Sequence, residues 1–183
     1  MNVITRLTLK ISYYISVNIT FRDQTVIDKI METIAHQVWI AAPKATIYNA
    51  ITTSEGVSKW WIKDCTMKQE VGFVNIFRMN GEVHDKMKII DLKPNAYVEW
   101  ECVNDNGLWT GTHLSFEIIE KQGVCSLNFK HSKWPSATEF FTICNFHWAR
   151  HLLMLKGLCE MGDNQLFANE ETKWGRLYQL LKS

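Results

Sequence analysis

Net charge is nearly absent from this 183-residue chain: 20 lysines and arginines stand against 19 aspartates and glutamates, a formal +1. No run of basic residues appears either, so nothing in the sequence offers the clustered cations of a nucleic-acid groove, and no nucleic acid is expected as a partner. No segment reaches the roughly 18 to 20 consecutive apolar residues that a membrane span needs. The five cysteines (Cys65, Cys102, Cys125, Cys144 and Cys159) are odd in number and show no CxxC spacing. That argues against a disulfide framework and a zinc ribbon, and leads to an expectation of reduced thiols in a cytosolic setting. Also missing are a Gly-rich phosphate loop, an HExxH pair, a Ser-His-Asp arrangement and a paired-carboxylate motif. No cofactor or metal is expected, and the sequence assigns no catalytic residue.

What is plentiful is aromatic surface, with eight tryptophans and nine phenylalanines. Rings of this size bury large areas, and a core built from them can also line a pocket. At 46% hydrophobic and 21% charged residues the composition is that of an ordinary globular protein, and the length suits one domain rather than two.

The segment 137–161 organises the rest. Ala137, Phe141, Cys144, Trp148, Leu152, Leu155 and Cys159 recur at spacings of four and three, which at 100° per residue makes one core-facing helical stripe. Ser136 with Glu139 three residues on reads as a capping box, and Gly162 as the stop. The opposite face carries Ile143, Phe146 and Leu153, an apolar patch that needs a cover.

Upstream, residues 33–40 alternate as a strand, and Pro43 opens a helix through Ile47, Ala50 and Ile51 to Thr53. Ser54 and Glu55 begin a second short helix that ends near Trp60 and Trp61. Six strands follow: 65–67, 72–79, 82–92, 97–102, 110–120 and 124–131, with Asn80-Gly81 as a strong hairpin signal. The expected fold is α+β: a curved antiparallel sheet gripping one long C-terminal helix, with two short helices after the first strand. A space between the sheet and that helix is where a ligand would go. Met31 reads as a natural beginning. Residues 1–30, in which 11–21 alternate loosely as a strand, are thus an extension, a misplaced start or an added arm. Residues 31–162 form the expected domain and 163–183 an amphipathic tail, whose Trp174, Leu177, Tyr178 and Leu181 could pack on the Ile143–Phe146–Leu153 patch.

The stretch HQVWIAAPKATIYNAITTSEGVSKWW resembles the opening of the START-like (SRPBCC) superfamily, in the branch named for the activator of heat-shock-protein-90 ATPase. VEWECVNDNGLWTGTHLSFEI and LNFKHSKWP resemble that branch's later strands, and FHWARHLLMLKGLCEMG its closing helix, so the likeness spans residues 33–162. The resemblance implies the helix-grip (START-like) fold and a hydrophobic cavity for small apolar ligands such as lipids. It implies a chaperone-directed, stress-related role in the branch's namesake, and cyclase-type chemistry in some members. No universal catalytic motif comes with it.

The residues expected to line the cavity are Met87, Trp100, Phe116, Phe129, Phe141, Cys144 and Trp148, every one of which a filled core would show equally. His131, in phase with Leu127 and Phe129, points inward either as a base or polar ligand contact or as a histidine bonded to a neighbour. Asp85 shares a phase with Val83, Met87 and Ile89, which places it inside unless a bulge turns it outward. Asn145 is expected to supply one polar contact in the pocket. His147 and His151 have the spacing at which two imidazoles share a metal, but no third ligand is evident, and they read as partly exposed helix histidines. The leading expectation is a binder of a small hydrophobic molecule rather than an enzyme. A chaperone-associated interaction protein and a cyclase or hydrolase using the same cavity are the alternatives, and a homodimer or a chaperone is the candidate protein partner.

Overall fold

The computed structural model describes residues 31–162. The expected strand at 11–21 and the amphipathic tail at 163–183 lie outside them. Within the described residues the order of elements is the expected one. Strand β1 (Glu32–Ile40) leads to helices α1 (Lys44–Thr52) and α2 (Ser54–Val57). Strands β2 (Asp64–Thr66), β3 (Val74–Met79), β4 (Glu82–Lys93), β5 (Tyr97–Cys102), β6 (His113–Lys121) and β7 (Val124–Trp134) follow, and helix α3 (Glu139–Met161) closes the domain.

All seven strands form one antiparallel sheet in the order β1-β7-β6-β5-β4-β3-β2. The six later strands run as a meander of neighbours, and β1 joins its far edge by pairing with β7. Two of the turns are two-residue loops with positive φ at both positions, Asn80-Gly81 and Gln122-Gly123. That geometry matches the twist of the strands it joins, and asparagine and glycine adopt it at least cost.

Curvature comes from β4, which carries two irregularities. Phe77 pairs with Asp85 but Arg78 with Val83, leaving His84 as an extra residue. Ile89 pairs with Trp100 but Asp91 with Glu99, leaving Ile90 extra. Such bulges bend a strand and sharpen its twist, and the inner face of the bent sheet receives α3. Cys144, Trp148, Leu152 and Leu155 are buried along the helix, with Phe141 and Cys159 half-buried at its ends. Near the C-terminal end of α3, Lys156 Nζ donates to Trp39 O at 2.6 Å, and Glu160 Oε1 accepts from Ala41 N at 2.7 Å, pinning that end to the exit of β1.

Two expectations about α3 need correction. Its cap is Thr138, not Ser136: the chain stays extended through Thr138 (φ −75°, ψ 173°), whose Oγ1 accepts from Phe141 N at 3.2 Å. Ala137 therefore precedes the helix and is exposed, and Glu139 sits in the first turn beside the positive end of the helix dipole rather than closing a box. Gly162 does end the helix, at φ 73°.

Strand β6 starts three residues later than alternation suggests. Residues 107–112 are used in turns, with Thr110 N bonded to Gly107 O and Thr112 N to Trp109 O. That loop sets Trp109 within ring distance of Trp148 on α3, the two 5.8 Å apart.

Candidate functional site

The residues expected to line a cavity fill one another's space instead. Met87, Trp100, Phe116, Phe129 and Trp148 are fully or almost fully buried, and their rings meet directly: Phe129 to Trp148 at 4.6 Å between centroids, Phe116 to Phe129 at 5.1 Å, Trp100 to Phe116 at 5.3 Å. Phe141 stands edge-on to Trp134 at 5.4 Å. Cys144 accepts a hydrogen bond from Trp109 Nε1 at 3.4 Å, and burial pushes its thiol up to about 12, so it is an inert packing group. These side chains pack into one core in which Met87 of β4 joins rings from β5, β6, β7 and α3 that meet at tilted angles of 41° to 56°, a geometry that residue type alone does not reveal.

His131 also belongs to that core. It is fully buried, and both ring nitrogens are engaged: Trp148 Nε1 donates to Nδ1 at 3.0 Å, and Nε2 donates to Thr112 Oγ1 at 2.9 Å. The Thr112 hydroxyl passes its own proton to Trp109 O at 2.6 Å. Burial holds the imidazole far down, at about 3, so it is neutral and has no lone pair to lend a ligand. Of the two alternatives, the structure shows the bonded histidine, with both ring nitrogens engaged.

Among the described residues an open space lies at one end of the grip. A cleft of about 410 Å³ separates the middle of α3 from the β3–β4 hairpin, within the size range of small-molecule sites. Helix α3 contributes His147, Arg150 and His151, and the hairpin contributes Arg78, Met79, Asn80, His84 and Asp85. The segment after α2 adds Trp61, Ile62, Lys63 and Asp64, and Trp109 reaches in from its loop. Trp61 and Trp109 stack at 6.3 Å and 27°, backed by Trp100 and Trp148, so the apolar floor is part of the aromatic core. None of the expected lining residues faces this cleft. Asn145 is exposed; at 100° per residue it lies about 160° around the helix from His147, on the wrong shoulder for a pocket contact.

The cleft walls are polar and ordered. Asp85 is 5% exposed, and its carboxylate accepts from Asn104 Nδ2 at 2.9 Å on Oδ1 and meets His84 Nδ1 at 2.7 Å on Oδ2. Asn104 in turn accepts from Lys86 N at 2.7 Å, which ties the β5–β6 loop to the bulge. The bulge is present, but it keeps Asp85 inward with Met87 and Ile89 and sends Val83 outward, because the extra residue falls between Val83 and Asp85. Arg78 pairs with Asp64 at 3.4 Å and donates to Thr66 Oγ1 at 3.0 Å.

Across the cleft, His151 Nδ1 donates to Trp60 O at 3.3 Å. Burial, then the Arg150 charge, lowers His151 to about 4. Burial, then His151 and Arg150, lowers His147 to about 3. Among the described residues no group of three His, Cys, Asp or Glu side chains can hold a metal ion, and no described helix is long and apolar enough to cross a membrane.

Sequence reasoning missed His84, Trp61, Trp109 and Arg150. Asp85, His147 and His151, which the sequence did single out, all line the cleft.

Known proteins bear on this arrangement. The sequence model of the family described as Activator of Hsp90 ATPase homolog 1-like protein matches residues 41–160. The solution structure of the Aha1 dimer from Colwellia psychrerythraea is 36% identical, with a TM-score of 0.67 over 72% of this chain and 98% of that one. At the level of fold alone, protein MLL2253 from Mesorhizobium loti matches at 16% identity and a TM-score of 0.61, over 69% of this chain and 96% of that one. Protein SSP2350 from Staphylococcus saprophyticus matches at 14% and 0.62, over 72% and 94%. No curated protein matches the sequence.

Proposed function

The chain belongs to the Activator of Hsp90 ATPase homolog 1-like family, and from that premise we propose that it binds a small molecule with an apolar body in the cleft between α3 and the β3–β4 hairpin. The observation that carries this reading is the 410 Å³ opening floored by the Trp61–Trp109 stack and rimmed by polar groups held in place before any ligand arrives. A rigid apolar floor gives affinity without an ordering cost, and a few fixed polar groups give orientation. The sealed core behind it keeps the ligand at the mouth of the grip instead of at its centre.

The neutral dye N-phenyl-1-naphthylamine tests this. Trp109→Ala and Met79→Asp each remove or charge a cleft wall and are expected to weaken dye binding by about tenfold or more, roughly 1.4 kcal/mol. Phe146→Ser, on the outer face of α3, is expected to leave binding unchanged. Equal binding by all three variants contradicts the reading.

A second reading concerns assembly. Phe146 is 69% and Leu153 51% exposed on the outer face of α3, and the Colwellia relative was solved as a dimer. A second copy of this chain is the occupant we propose for that face, since burying two such helical stripes against each other removes apolar area from water. Phe146→Glu with Leu153→Glu is expected to halve the mass seen by sedimentation. A wild-type chain that sediments as a monomer, or a double variant that stays dimeric, contradicts it.

A further inference from the structure

We propose that two copies of this chain join their sheets edge to edge through β1, paired antiparallel about a two-fold axis at Ala35. This rests on the reading that a second copy covers the outer face of α3, and names how the two sheets meet.

Strand β1 lies at one end of the sheet and pairs only with β7 among the described residues. Along a strand, the backbone groups of successive residues point to alternate sides. Trp39 O accepts from Lys156 and Ala41 N donates to Glu160, so the odd-numbered residues of β1 turn their backbone groups away from β7. Thr33, Ala35 and Gln37 therefore hold out N–H and C=O groups along an edge, none of them bonded to another described residue.

Natural proteins guard long edge strands with lysine, proline, bulges or charges. Here Thr33, Ala35, Gln37 and Trp39 carry no charge, β1 contains no proline, and the irregularity near its start puts the extra residue on β7. Only Trp39 O is stopped, by the Lys156 ammonium.

A two-fold axis makes a strand meet itself antiparallel. The register that uses Thr33, Ala35 and Gln37 and spares Trp39 O sets Ala35 opposite the partner's Ala35, and Thr33 opposite the partner's Gln37. The smallest side chain of the row then sits on the axis. One step farther out, Met31 faces the partner's Trp39, and these side chains are 42% and 46% exposed in the single chain. Helix α3 continues the same surface. At 100° per residue Leu153 lies about 60° and Phe146 about 80° from Lys156, turned the same way and away from the core stripe. Lys156 marks the β1 side of the helix, so this exposed flank extends past β1, where the partner's strand would lie.

Sedimentation of the full chain with a charge exchange tests this. Ala35→Lys and Ala35→Glu each set two like charges side by side across the axis, and each alone is expected to weaken the dimer about fivefold or more. An equal mixture sets lysine against glutamate and is expected to restore the dimer to within about threefold of wild-type affinity. The mixture is its own control, because a variant that had failed to fold would not be recovered. Single variants that stay as dimeric as wild type, or a mixture no tighter than its components, overturn this inference alone, even where Phe146→Glu with Leu153→Glu separates the copies. A wild-type chain that sediments as a monomer overturns the assembly reading and this inference with it.

Discussion

A histidine sealed among tryptophans makes stability depend on pH in a direction that can be worked out. His131, His147 and His151 all have pKa values lowered by burial, to about 3, 3 and 4. Between those values and the ordinary value near 6.5, the unfolded chain takes up protons that the folded chain refuses. Stability is therefore full above about 6.5 and is lost as pH falls, at up to about 1.4 kcal/mol per pH unit for each such histidine. The urea midpoint is expected to drop between pH 7.5 and pH 5, above the range where carboxylates titrate. His131→Leu leaves the Trp148 indole N–H without its acceptor, at a cost of about 1–3 kcal/mol near neutral pH, and flattens the pH slope by close to one proton. A variant whose slope matches wild type would show that His131 titrates normally in the fold. The inward placement of His131 was legible from its phase with Leu127 and Phe129. Its chemistry was not, because the partners that use up both nitrogens, Thr112 and Trp148, are distant in sequence.

Among the elements, α3 was the most legible because helical periodicity is a local property: Cys144, Trp148, Leu152 and Leu155 face the core as their spacing requires. Its start was not, since a cap depends on where the chain turns, and Ser136 and Thr138 are chemically equivalent candidates two residues apart. Replacing Thr138 by alanine removes the bond to Phe141 N and is expected to lower stability by about 1 kcal/mol. Ser136→Ala should change it by a few tenths at most. Equal losses by chemical denaturation would move the cap back to Ser136. The bulge at His84 was harder still. One inserted residue leaves clean alternation on both sides of it, so the sequence of β4 reads as a continuous strand with Val83 and Asp85 on one face. The sheet places them on opposite faces.

At the scale of the whole domain, the layout of seven strands and three helices among the described residues followed from alternation, turn signals and one amphipathic stripe. The location of the open space did not. Ligand cleft and packed core are made of the same residue types here, and which is which depends on whether rings from separate strands meet. Trp100, Phe116, Phe129 and Trp148 meet and close the centre. Trp61 and Trp109, from two loops far apart in the chain, are left as the floor of the cleft. Their indole N–H groups provide the most direct measurement: proton–nitrogen correlation spectra of the tryptophan side chains during titration with 2-methoxynaphthalene. The account predicts that the Trp61 and Trp109 signals move together and saturably, while Trp134, behind the core, and Trp39, exposed on β1, hold still. Movement of Trp39 or Trp134 with Trp61 and Trp109 unchanged would place the ligand elsewhere and contradict the account.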